Sequence, residues 1–301
     1  MSSIIAVRKK ILSTKATKKI TQAMELVAAN KMKFFERRAL SARAYAWDLL
    51  RGLKASSAVF ENLSYSEKRI EGKTVFVLIT SDKGLCGSLN QKLINLLFSS
   101  EKWKDTPEDE RVLITIGKKS SDAAKREGIS VAEKFDGISE TMNSLDALKV
   151  AGAIVKFWDE GSAREVVLIS PHYVNPFTTH FTEKTYLPFT GEMIETHLKW
   201  SDLEERQHLE EMCETYSGTI LEPSEERMAS LLAHQLIETL FVQVFYELKA
   251  AEYSSRMVAM KNATDSADDI IENLTREYNK TRQAVITREL AELSAAGEAM
   301  K

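Results

Sequence analysis

Two breaker-free stretches with helical apolar periodicity flank a central region that alternates between strand and helix patterns. In the first, Ile4, Val7, Ile11, Ile20, Met24, Val27 and Phe34 recur at spacings that suggest one face of a helix. In the second, Ile237, Phe241, Val244, Leu248, Ala251, Ser255 and Val258 follow the three-four spacing of a coiled-coil seam. The first glycine is Gly52 and the first proline Pro107, and residues 224–296 contain neither. Glycine and proline are the main interruptions of a helix, so the pattern predicts a very long helix at each end. At about 1.5 Å per residue the two could reach roughly 75 and 110 Å. The simplest arrangement packs them antiparallel; two separate amphipathic helices lying on a globule are the alternative. The seam turns small and polar at Ala251, Ser255, Asn262 and Asp265, which favours a thin two-helix rod with close backbones.

Between the arms, Thr74–Thr80 (TVFVLIT), Val112–Ile116 (VLITI) and Val166–Ser170 (VVLIS) read as buried strands. Helical patterns cover 89–100, 117–127 and 145–160, and the succession predicts an α/β domain with a mainly parallel sheet. Residues 177–189 alternate as an edge strand, and 201–216 form an acidic helical pattern. The expected domains are an N-terminal coiled-coil helix over 1–60, an α/β head over 70–195, an acidic helical segment and turn over 196–223, and a C-terminal coiled-coil helix over 224–297.

Charge sharpens this picture. Residues 1–54 hold thirteen Lys and Arg against Glu25, Glu36 and Asp48, while the whole chain carries a net charge of −3. Such asymmetry points to a partner for the basic arm: nucleic acid, an anionic membrane or an acidic protein surface. Aromatic interleaving and a nucleic-acid docking motif are both missing from the arm. Cys86 and Cys213 stand far apart and suggest neither a disulfide framework nor a zinc site. No apolar run reads as a membrane span and the N-terminus lacks a signal-peptide core, so a cytoplasmic protein is the default expectation.

Candidate chemistry is sparse. Ser81–Asn90 (SDKGLCGSLN) sits where an open α/β sheet would place a ligand, but it is neither GxGxxG nor a P-loop, and its lysine precedes the glycines. A tight turn with Cys86 packed as a small apolar side chain is the simpler expectation. His172, His180, His197, His208 and His234 show no metal-ligand spacing, and His172 and His180 have no carboxylate cluster nearby in sequence. No nucleophile elbow is present.

Four segments carry a resemblance. Thr17–Met32 (TKKITQAMELVAANKM), Ile79–Asn90 (ITSDKGLCGSLN), Arg256–Ile271 (RMVAMKNATDSADDII) and Tyr278–Leu290 (YNKTRQAVITREL) are similar, in order, to the gamma-subunit family of F-type ATP synthases. The resemblance implies an antiparallel coiled coil of the terminal helices with a central Rossmann-like α/β domain. It implies a non-catalytic rotor shaft with no cofactor of its own, turning inside a ring of alpha and beta subunits and resting on the epsilon subunit and a membrane c ring, with delta also in the assembly. The expected location is the cytoplasmic face of a bacterial inner membrane. Beta-subunit contacts fall on Arg282, Gln283 and Thr287, with Met24 packing beside that level, and the foot toward the c ring falls on Leu221 and Glu222. Two departures stand out: the chain reads Ala295, Ala296, Gly297 where the family usually has Gly-Ala, and residues 200–218 are longer and more acidic than in compact members. Cys213 stands alone where the redox-regulated type has paired cysteines, so no internal disulfide switch is expected.

Overall fold

The structure, a computed structural model, describes residues 4–55, 64–137, 144–189, 222 and 224–299. Its two longest elements are the helices α1 (Ile4–Ala55) and α6 (Glu225–Ala299), of 52 and 75 residues. Gly52 therefore lies in the last turns of α1 rather than ending it. A Cβ there would sit 3.3 Å from Leu232 Cδ1 of α6, so the glycine permits a close helix approach.

Five strands form one sheet, in the order β3-β2-β1-β4-β5. They are β1 (Lys73–Ile79), β2 (Arg111–Ile116), β3 (Glu133–Phe135), β4 (Ala163–Asn175) and β5 (Thr178–Leu187). Central β1 pairs in parallel with β2 and β4, Phe76 lying opposite Leu113 on one side and Val167 on the other. Its six residues from Thr74 to Ile79 are all buried, as a parallel strand covered on both faces requires. The hairpin partner β5 is antiparallel to β4, with His172 facing His180 across the pair. Helices α2 (Leu89–Ser99), α3 (Glu101–Asp105), α4 (Lys118–Arg126) and α5 (Ser144–Asp159) supply the connections. The short α3 and β3, too brief to show periodicity, were not read from the sequence.

The sheet's core is aromatic as well as aliphatic. Phe76 meets Trp103 edge to face at 4.9 Å, and fully buried Trp158 lies under the Arg69 guanidinium at 4.0 Å. Each such side chain contributes roughly 1.5–3 kcal/mol by leaving water.

The chain divides into two compact units, Met1–Ala29 with Arg256–Lys301, and Asn30–Ser255. Both cuts fall inside the long helices, away from the expected boundaries near 60 and 224. The basal parts of α1 and α6 group with the sheet because they carry its buried contacts. By length and composition alone, α6 contains a window apolar enough to cross a membrane, which the sequence analysis does not anticipate. It is 61% buried inside the protein, as in a core helix.

Candidate functional site

In the first unit, α1 and α6 meet along a seam of small and polar residues. Thr21 Oγ1 and Thr264 Oγ1 are 2.7 Å apart, and Lys18 Nζ donates to Asp268 Oδ1 at 2.5 Å. Moving back three residues on one helix moves forward four on the other, so the pair is antiparallel. Val7, Thr21 and Ala28 are buried on α1, and Met260, Thr264 and Ala267 on α6. The expected phase holds at Ile4, Val7, Ile11 and Met24 and is corrected at three positions. Ile20, Val27 and Phe34 face outward, and their neighbours Thr21, Ala28 and Phe35 take the seam. On α6, Asn262 and Asp265 are exposed for the same reason, the seam passing through Met260 and Thr264. Small side chains win because they let the backbones approach, while the larger apolar ones stay available to something else.

The pairing sets the level of the expected contact residues. Met24 is half-buried, three residues from Thr21 and so beside residues 260–261 of α6. Arg282 lies about 30 Å further along that helix at 1.5 Å per residue, so the structure does not bring the two together. Among the described residues Thr281 is the last that is half-buried, and 282–296 are exposed on every side. Gln283, Thr287 and Leu290 share one face by helical spacing, with Arg282, Ile286 and Leu293 on the next. Leu290 and Leu293 are 59% and 70% exposed, so donors and apolar side chains stand together on a bare helix. Leu221 lies outside the described residues, as do Cys213, His197, His208 and the acidic segment. Glu222 is exposed in a bend just before α6.

In the second unit, a carboxylate on α6 ties three elements together. Glu247 is 3% exposed in its side chain and accepts from Arg43 Nη2 of α1 and His172 Nδ1 of β4, each at 2.8 Å. Gln243 Nε2 adds a bond of 2.9 Å and the Tyr173 N–H one of 3.4 Å. Burial alone would raise the Glu247 carboxyl. The hydrogen bond and charge of His172, the Arg43 guanidinium and the Gln243 amide outweigh it and hold the pKa at about 2. Lys184 of β5 is lowered, chiefly by burial and further by Arg43, with Glu247 opposing. Around this node, Tyr173 Oη donates to Glu36 at 2.9 Å, burial followed by Glu36 raising its phenol, and Phe35 stacks on Tyr253 at 5.6 Å. Ser254 Oγ donates to the Pro176 carbonyl at the hairpin turn. His172 thus has a carboxylate partner that its sequence neighbourhood does not contain; Glu247 is supplied by the fold.

The glycine-bearing loop after β1 is closed on itself. The Lys118 N–H of α4 donates to Asp82 Oδ1 at 2.8 Å, the Lys119 N–H to the Ser81 carbonyl at 3.2 Å, and the Ser120 N–H to Thr80 Oγ1 at 2.8 Å. The first donors of that helix, where an anion would bind, are therefore satisfied by the protein's own groups, one of them a carboxylate. Gly117 precedes them at φ +89°, and a Cβ there would fall 2.1 Å from the Thr80 carbonyl oxygen. Asn90 closes the other side: its Oδ1 accepts from the Ser81 N–H at 3.0 Å and its Nδ2 donates to Cys86 Sγ at 3.2 Å. Cys86 is buried, and the left-handed turn positions belong to Leu85 and Gly87. Among the described residues, no group of His, Cys, Asp and Glu could hold a metal ion.

The described residues thus combine two long terminal helices with a five-stranded α/β sheet. Comparison with known proteins makes this specific. A family model described as ATP synthase matches residues 3–300. The ATP synthase gamma chain of Limosilactobacillus reuteri (strain DSM 20016) is 30% identical over 310 residues, covering 97% of each chain. A chain of the Euglena gracilis mitochondrial ATP synthase shares the fold at a TM-score of 0.67, with 18% identity over 99% of this chain and 94% of that one. A chain from the central stalk and c-ring structure of the Tetrahymena thermophila mitochondrial ATP synthase gives 0.57 and 24%, over 81% of this chain and 99% of that one. The chain belongs to the ATP synthase gamma chain family.

Proposed function

We propose that this chain is the non-catalytic central shaft of an F-type ATP synthase, coupling ion-driven rotation of a membrane c ring to conformational change at catalytic beta subunits. The observation that carries the reading is the composition of α6. One continuous helix is locked at Glu247 by buried charges and, past Thr281, presents Arg282, Gln283, Thr287 and an apolar face to whatever surrounds it. Rotation of such a helix offers different groups to otherwise equivalent partners, and a difference in contact energy is what a population shift requires.

In this reading Arg282, Gln283 and Thr287 contact beta subunits as directional donors and acceptors. Met24 serves a different level of the coil. Leu221 and Glu222 form the foot toward the c ring, with epsilon and delta as further partners, at the cytoplasmic face of a bacterial inner membrane. The basic arm of α1 attracts acidic surfaces of the alpha and beta ring. The test is copurification of the tagged full chain at native expression, followed by ATPase assay of the chain alone. Alpha and beta subunits should copurify and the isolated chain should not turn over ATP. Robust turnover by the chain alone, or absence of both subunits, would sink the reading.

A further inference from the structure

A cleft of about 660 Å³ opens between α2 and α4, lined by none of the residues of the Glu247 node. Asn90 and Ile94 line it from α2, and Lys119, Asp122, Lys125 and Arg126 from α4. No carboxylate among the described residues forms an ion pair with Lys119, Lys125 or Arg126. The first and last of these cations lie two helical turns apart on one wall, about 10 Å, with Asp122 between them.

We propose that this cleft is a docking groove for an acidic polypeptide segment of a partner protein. A phosphate group needs donors that converge on one point, and here the cations are spread along the wall while the nearby N-terminal amides of α4 are taken by Asp82, Ser81 and Thr80. A row reading plus, minus, plus matches carboxylates spaced along a chain with a donor between them. The buried Ile94 adds an apolar lining suited to an aliphatic side chain. Exposed cations of this kind act in concert and are screened by salt, so the contact should be salt-sensitive.

Zero-length carbodiimide coupling on the purified assembly containing the full chain tests this, with coupled peptides read by mass spectrometry. Lys119 or Lys125 should be joined to Asp or Glu of another polypeptide. The yield at Lys119 should fall roughly tenfold in the variant K125E/R126E, which keeps that amine in place, and fall also on raising salt from ~0.05 to ~0.5 M. Where that variant does not fold, K125Q/R126Q replaces it. Intermolecular coupling at other lysines of the chain, with none at these two, would overturn the proposal. If no assembly copurifies, the shaft reading fails separately; the isolated full chain is then titrated with fluorescein-labelled hexaglutamate and with inorganic tripolyphosphate. Binding of hexaglutamate that is lost in the variant supports the groove. Preference for tripolyphosphate, or no binding of either, overturns it.

Discussion

The two ends of α6 are built on opposite principles. From Phe241 to Ser254 the helix is buried except at Val242 and Gln243, and it carries Glu247, Lys249 and Glu252 into the interior, the last two paired at 3.2 Å. From Arg282 to Ala296 every residue is exposed, and its stabilising contacts include the surface pair Arg288–Glu292 at 2.9 Å. Such a pair adds only about 0.3–0.5 kcal/mol to a helix. Changes at the base should therefore act on folding, and changes at the tip on what the protein does with its partners.

The largest expected effect is Glu247→Ala. Removing the carboxylate takes the anionic partner from half-buried Arg43, which keeps the Tyr173 carbonyl, and from buried His172, and breaking a buried pair in this way costs about 3–5 kcal/mol. Urea denaturation of the full chain measures it. A loss below about 1 kcal/mol would mean that the node does not hold α6 to the sheet.

The same group fixes a pH window. Its pKa of about 2 in the folded chain lies below the ordinary 4.5, so the folded state favours the ionised form. That stability is fully present above pH 4.5 and is lost as pH falls from there toward 2, about 3 kcal/mol in all at 1.36 kcal/mol per pH unit. Wild type should lose stability more steeply than Glu247→Gln across this window. Parallel curves would refute the assignment.

The base and the tip also differ in how well sequence predicts them. Both long helices, the buried strands β1, β2 and β4 and the edge strand β5 were legible because periodicity and the absence of breakers are local signals. The Glu247 node was not, since it joins residues 43, 172 and 247 that only the fold brings together. The seam of α1 is legible at Ile4, Val7, Ile11 and Met24 and misphased at three further positions for a simpler reason. Ile20, Val27 and Phe34 have the apolar character that marks a core, yet two closely packed helices favour Thr21 and Ala28, which periodicity weighted by hydrophobicity undervalues. Arg282, Gln283 and Thr287 came from family resemblance alone, and nothing in their own surroundings would have selected them.

At the tip, Arg282→Ala with Gln283→Ala should leave folding stability within about 0.5 kcal/mol, as for exposed positions generally. If these side chains contact a moving subunit, charge-assisted bonds there are worth about 1.5–3 kcal/mol, and coupled ATP synthesis should fall by roughly an order of magnitude or more. The measurement is synthesis in inverted vesicles, with subunit stoichiometry checked on the same preparation. Unchanged synthesis removes the pair from the mechanism, and loss of assembly makes it structural.

The smallest effect should come from Lys18→Ala. Its ammonium reaches Asp268 at 2.5 Å, a distance that suggests a strong pair, but the two side chains are 27% and 51% exposed. At that exposure water competes for both ions and ordering the lysine costs entropy, so the net contribution is below about 1 kcal/mol. The buried hydroxyl pair Thr21–Thr264 beside it is shielded from such competition. Urea denaturation at low salt and at ~0.5 M separates the two contributions: the cost of Lys18→Ala should shrink with salt, whereas that of Thr21→Val, which strands the Thr264 hydroxyl, should not. A Lys18→Ala cost above about 2 kcal/mol that persists in high salt would show that the charged contact, and not the small-residue seam, sets the register of the two helices.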